Sequence, residues 1–90
     1  MRADAITYFK DVLAKFGYDA TVRTAENSLS DIAVYIHEYK GHTEVTEELY
    51  EQFLRQFELD RSQYDKYSNK DFTLEYDQEG KPYLRMTVIA

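Results

Sequence analysis

Residues 72–88 read Phe72-Thr73-Leu74-Glu75-Tyr76-Asp77-Gln78-Glu79-Gly80-Lys81-Pro82-Tyr83-Leu84-Arg85-Met86-Thr87-Val88. Phe72, Leu74 and Tyr76 alternate with Thr73, Glu75 and Asp77, and Leu84, Met86 and Val88 alternate again after Gln78-Glu79-Gly80. Successive side chains of a strand point to opposite faces, so this alternation on both sides of a turn predicts an antiparallel hairpin with one buried face. Pro82 falls at the start of the second strand, where a missing N–H is tolerated.

The same pattern occurs upstream. Ala20–Ala25 and Asp31–Lys40 are rich in β-branched and aromatic residues and are joined by the polar run Glu26-Asn27-Ser28-Leu29-Ser30, which predicts a first hairpin ending at Gly41 with Ile32, Val34 and Ile36 inward. A helix is predicted before each hairpin. Ile6, Phe9, Val12, Leu13 and Phe16 recur at helical spacing over Asp4–Phe16, and Gly17 stands where the helix would stop. Glu44–Glu58 has Val45, Leu49, Tyr50, Phe53, Leu54 and Phe57 on one half of the wheel, with Thr43 as the candidate cap and acids in its first turn. Residues 59–70 are polar and Tyr-punctuated, and are expected to form a mobile connection. The order α-β-β-α-β-β predicts a single α+β domain with a mainly antiparallel four-stranded sheet and both helices on one face. Phe9–Phe16 and Tyr50–Phe57 align at every apolar position except Ala14, which falls opposite Arg55. An αββ duplication, 1–41 and 42–90, would produce that match, as would any two amphipathic helices.

Ninety residues with 43% apolar content support one core. Seventeen acids against eleven bases give a formal charge of −6, which disfavours direct contact with nucleic acid or anionic membranes. Without cysteine there is no disulfide framework and no thiolate chemistry, as in a reducing cytosol. The start of the chain shows neither a signal-peptide pattern nor a continuous apolar span, so a cytoplasmic protein is expected.

The sequence offers little catalytic apparatus. His37-Glu38-Tyr39-Lys40-Gly41-His42 superficially resembles a zincin motif, but its histidines are five residues apart on a predicted strand rather than four apart on one helical face. The serines have no glycine elbow, and Gly17, Gly41 and Gly80 sit at predicted turns rather than in a phosphate-cradling loop. No catalytic residues, metal or cofactor are therefore expected, and the function expected is binding rather than catalysis.

Two features suit binding. Residues 44–60 hold six acids, Glu44, Glu47, Glu48, Glu51, Glu58 and Asp60, against Arg55 alone, whereas the rest of the chain is nearly balanced. On a helix the five glutamates share the half of the wheel opposite the apolar face and repeat at roughly 5 Å along the axis, a spacing of the order of successive nucleic-acid phosphates. Such a ridge could occupy the basic groove of a nucleic-acid-binding protein, although a Glu-rich solvated face is also what any surface helix needs. The second feature is tyrosine. Strand parity places Tyr35, Tyr39 and Tyr83 on the outer sheet face with His37, Arg23 and Arg85, a composition suited to a protein interface.

In size and acidity the chain resembles phage-encoded inhibitors of host defence, the anti-CRISPR and anti-restriction proteins, several of which mimic DNA. The resemblance is one of composition alone, with no motif behind it. It implies an inhibitor or adaptor acting on a protein with a basic surface, inside the host cell. The alternative is a regulatory or assembly subunit that docks or homodimerises through the tyrosine-bearing sheet face or an edge strand.

Overall fold

The computed structural model describes residues 2–59 and 72–88. Two helices, α1 (Arg2–Lys15) and α2 (Glu47–Leu59), and four strands, β1 (Tyr18–Thr24), β2 (Asp31–Tyr39), β3 (Thr73–Tyr76) and β4 (Pro82–Thr87), follow one another in the expected order. The strands form one antiparallel sheet, β1-β2-β4-β3. The second strand of each hairpin is central, an order that a two-fold axis between β2 and β4 would also generate. The expected connection over 59–70 lies, apart from Leu59, outside the described residues.

Both helices cover the same sheet face. Ala5, Phe9, Val12, Leu13 and Phe16 of the α1 segment and Tyr50, Phe53 and Phe57 of α2 share one core with Ile32, Val34, Ile36, Leu84 and Met86. Phe53 is at its centre, with Phe16, Tyr18, Phe57 and Phe72 at ring-centroid distances of 5.9, 5.4, 5.9 and 5.8 Å. The helix-spaced apolar residues thus meet the alternating ones of the strands, the match of periodicities that an α-on-β layer requires.

The start of α2 differs from the sequence expectation. The helix begins at Glu47 rather than Glu44, and Thr46 rather than Thr43 caps it, its Oγ1 accepting from the Leu49 N–H at 3.3 Å. Two Thr-Glu pairs compete for the cap, and apolar flanks decide between them. Capping by Thr46 places Val45 before the cap and Tyr50 at the fourth helical position, a hydrophobic staple. Capping by Thr43 would offer His42 and Glu47 at those positions.

The distal half of β2 departs from simple alternation. Its register against β1 runs Asp19↔Glu38 and then Ala20↔Ile36, so His37 is an extra residue. A β-bulge of this kind reverses the facing of everything beyond it. Tyr39 accordingly turns to the helix side, where its ring lies 4.5 Å from that of Tyr18. A tight turn follows, with Lys40 and Gly41 both at positive φ (47° and 87°) and His42 paired back to Tyr39. Glycine fits the second of these positions, which side chains rarely adopt.

β4 pairs with β2 only as far as Val34↔Leu84. Beyond that point the Ile36 N–H is met by the hydroxyl of Tyr50, which accepts at 2.9 Å in the buried interior. Burial raises the Tyr50 pKa and keeps the phenol neutral. Removing the acceptor leaves a buried donor unpaired, so Tyr50→Phe should cost about 1–3 kcal/mol despite conserving the ring. Chemical denaturation will show this as a lower midpoint with an unchanged slope.

Candidate functional site

The two candidate surfaces lie on different faces of the molecule. On α2, Glu47, Glu48, Glu51 and Glu58 are all exposed, as is Arg55. At about 100° per residue, Glu47, Glu51 and Glu58 fall in one row, with Glu48 and Arg55 beside it. The row overhangs β3: the Tyr76 hydroxyl donates to Glu47, and Glu47 and Glu51 together raise the Tyr76 pKa, the Glu47 hydrogen bond most of all. On the other flank of α2, Gln52 Nε2 donates to the Tyr18 hydroxyl at 3.1 Å. The helix is therefore pinned on both sides of its buried stripe, which fixes the face that bears its carboxylates.

Among the described residues, no Lys or Arg lies within ion-pair distance of Glu47, Glu48, Glu51 or Glu58; the ion pair present is Arg85–Asp31, at 2.7 Å. Glu44 is exposed but lies on the segment before α2, off the helical row, because the helix starts three residues later than expected. Asp60 lies outside the described residues.

Two acids elsewhere, Asp31 and Asp77, have internal work. Asp31, where β2 begins, accepts from Arg85 Nε and Thr87 Oγ1, both at 2.7 Å, and ties the β2 start to the end of β4. Those hydrogen bonds, Arg85's foremost, hold the Asp31 carboxyl below the usual range, while Asp31 in turn raises Arg85. A depressed carboxylate stabilises the fold above its unfolded pKa, and that contribution is lost as pH falls through the folded value. Asp31→Asn should accordingly cost up to about 1 kcal/mol near neutrality. The gap from wild type should close in acid below the ordinary Asp range, which denaturation at neutral and low pH will measure. Asp77 caps the β3–β4 turn, accepting the Lys81 and Glu79 N–H groups at 2.9 Å each, and the same bonds lower its pKa.

The outer sheet face carries a shallow depression of about 490 Å³, with Arg23, Ala33, Tyr35, Tyr83 and Arg85 across it and Asp77 and Glu79 on one wall. Tyr35 and Tyr83 stack at 5.2 Å and 19°. The Arg23 guanidinium lies 4.9 Å from the Tyr35 centroid, and the Tyr35 hydroxyl donates to Asp77 at 3.2 Å. Tyr35 is only 9% exposed and packs with Ala25 and Ala33 in a second small core; burial, then the bond to Asp77, raises its pKa. Of the three candidate tyrosines, Tyr35 and Tyr83 share this face, while the bulge at His37 carries Tyr39 to the other. Sequence alone could not separate a tyrosine that braces the sheet from one offered to a partner.

His37 Nε2 lies 2.6 Å from Thr21 Oγ1, and His42 engages Tyr39 through the backbone. Among the described residues no group of three or more His, Cys, Asp or Glu is arranged to hold a metal ion, and no helix is long and apolar enough to cross a membrane. No protein-family model, no curated protein and no solved structure matches the chain.

Proposed function

We propose that this protein is a binding module that docks the carboxylate row of α2 against a basic, nucleic-acid-binding surface of another protein. In doing so it takes the place of the nucleic acid, as several phage-encoded inhibitors of host defence do. The observation that carries this reading is the division of labour among the acids. Asp31 and Asp77 are engaged in the fold, whereas Glu48, Glu51 and Glu58 face solvent with no cationic partner among the described residues.

A helix pinned along both flanks presents its charges from a fixed backbone, so no reordering of the helix opposes their use in an interface. Long-range attraction would speed the encounter, and like-charge repulsion would keep nucleic acid away from the complex. The tyrosine face is the weaker candidate, because Tyr35 is buried and its hydroxyl is engaged by Asp77.

The test is competition. Protein captured from a cell lysate by the immobilised chain at low salt should be a nucleic-acid binder, released both by added nucleic acid and by raising the salt to about 1 M, where the screening length falls to about 3 Å. A captured protein indifferent to both treatments would contradict the reading.

A further inference from the structure

We propose that two copies of this chain join edge to edge through β1, in antiparallel register about Thr21, forming one continuous eight-stranded sheet. Among the described residues β1 pairs with β2 alone, so its other edge is open. It is seven residues long and carries neither the lysine nor the proline that commonly guards a sheet edge. β3, at the opposite edge, is only four residues long.

The backbone is set for pairing. The Ala25 N–H donates to the Asp31 carbonyl at 3.0 Å, and the ladder continues through Arg23↔Ala33 and Thr21↔Tyr35. Hydrogen-bonded pairs alternate along an antiparallel ladder. Thr21 and Arg23 thus direct their backbone groups to β2, while Ala20, Val22 and Thr24 direct theirs to the open edge.

The side chains select the occupant. Asp19, Thr21 and Arg23 alternate with the buried Tyr18, Ala20 and Val22 and share the exposed face. Centred on Thr21, a second β1 brings Asp19 opposite Arg23 of the second copy and Arg23 opposite its Asp19. Ala20 and Val22 then exchange the backbone bonds. In this register Asp19 and Arg23 fall at non-hydrogen-bonded positions, where side chains approach most closely. The charge sequence of the strand reads the same under the two-fold operation, which makes the edge complementary to itself. The acidic flank of α2 lies on the β3 side, where Glu47 meets Tyr76. The same axis carries the two flanks to opposite ends of the assembly, where their repulsion is least. The dimer stands independently of the proposed inhibitor role, since its variants leave α2 untouched.

Sedimentation equilibrium of the full chain over micromolar to millimolar concentrations tests this. The wild type should dimerise, and Asp19→Arg or Arg23→Asp, each setting like charges opposite one another twice, should weaken association about tenfold or more. The double exchange Asp19→Arg with Arg23→Asp should restore it to within about threefold, because opposite charges face again. Thr21→Lys, which keeps both charges, should also dissociate the dimer. Amide exchange of the wild type gives a reading that needs no variant: the Ala20, Val22 and Thr24 amides should gain protection as concentration rises, while those of Thr21 and Arg23 are protected throughout. A wild type that stays monomeric over that range, a double exchange no better than the single changes, or edge amides insensitive to concentration would overturn the proposal.

Discussion

Phe53→Ala should destabilise the fold by about 3–5 kcal/mol, the range for removing a buried phenyl group from a core that cannot collapse around the space. Phe53 is fully buried, and its ring meets both the α1–β1 junction, through Phe16 and Tyr18, and the residue entering β3, Phe72. Its loss therefore uncouples layers rather than trimming one contact. Domains of this size hold about 5–15 kcal/mol in all, so the variant should have a much lower denaturation midpoint or be partly unfolded at ambient temperature. Leu54→Ala, one residue on and only half-buried, should cost clearly less. Equal losses at the two positions would mean that the aromatic cluster is not the centre of the core.

The elements were legible because period and composition agree in each. α1 and α2 show helical spacing, both hairpins alternate, and the turns fall at Gly41, at Gly80 and in the Glu26–Ser30 run. Three features could not be read. The bulge at His37 leaves no mark in composition, since an extra residue within β2 merely shifts parity, and so Tyr39 was expected on the wrong face. The cap is read at Thr43, but the helix starts three residues later, after Thr46, because a second Thr-Glu pair follows the first and only it has apolar residues at both staple positions. Strand order depends on which hairpin edges meet, and that is set by Ile32, Ala33 and Val34 finding Met86, Arg85 and Leu84 across β2 and β4, pairings that alternation alone leaves open.

The candidate surfaces were legible to different degrees. The exposure of Glu47, Glu48, Glu51 and Glu58 follows directly from wheel position. The engagement of Glu47 by Tyr76 depends on a contact 29 residues away in sequence, as the bracing of Tyr35 by Asp77 depends on one 42 away. Composition drew attention to nine tyrosines. Burial then assigned Tyr18 and Tyr50 to the core and Tyr35 to a second, smaller one.

The carboxylate row of α2 bears most of the proposed function, and Glu51→Lys combined with Glu58→Lys is the cleanest challenge to it. Glu47 is left in place because it holds Tyr76, and Glu48 because a cation in the first turn would oppose the helix dipole. Lysine is as good a helix former as glutamate, so the double variant should unfold within about 0.5 kcal/mol of wild type. Each reversal turns an attraction into a repulsion, a change of about 1–2 kcal/mol at a surface contact, together about 30- to 1,000-fold in affinity. The most direct measurement is the dissociation constant of the captured partner for wild type and for this double variant, followed across a salt series. Wild-type affinity should fall steeply as salt rises, the variant should bind far more weakly at low salt, and the two should converge at high salt. Equal affinities at low salt, or a wild-type constant that does not change with salt, would contradict the account.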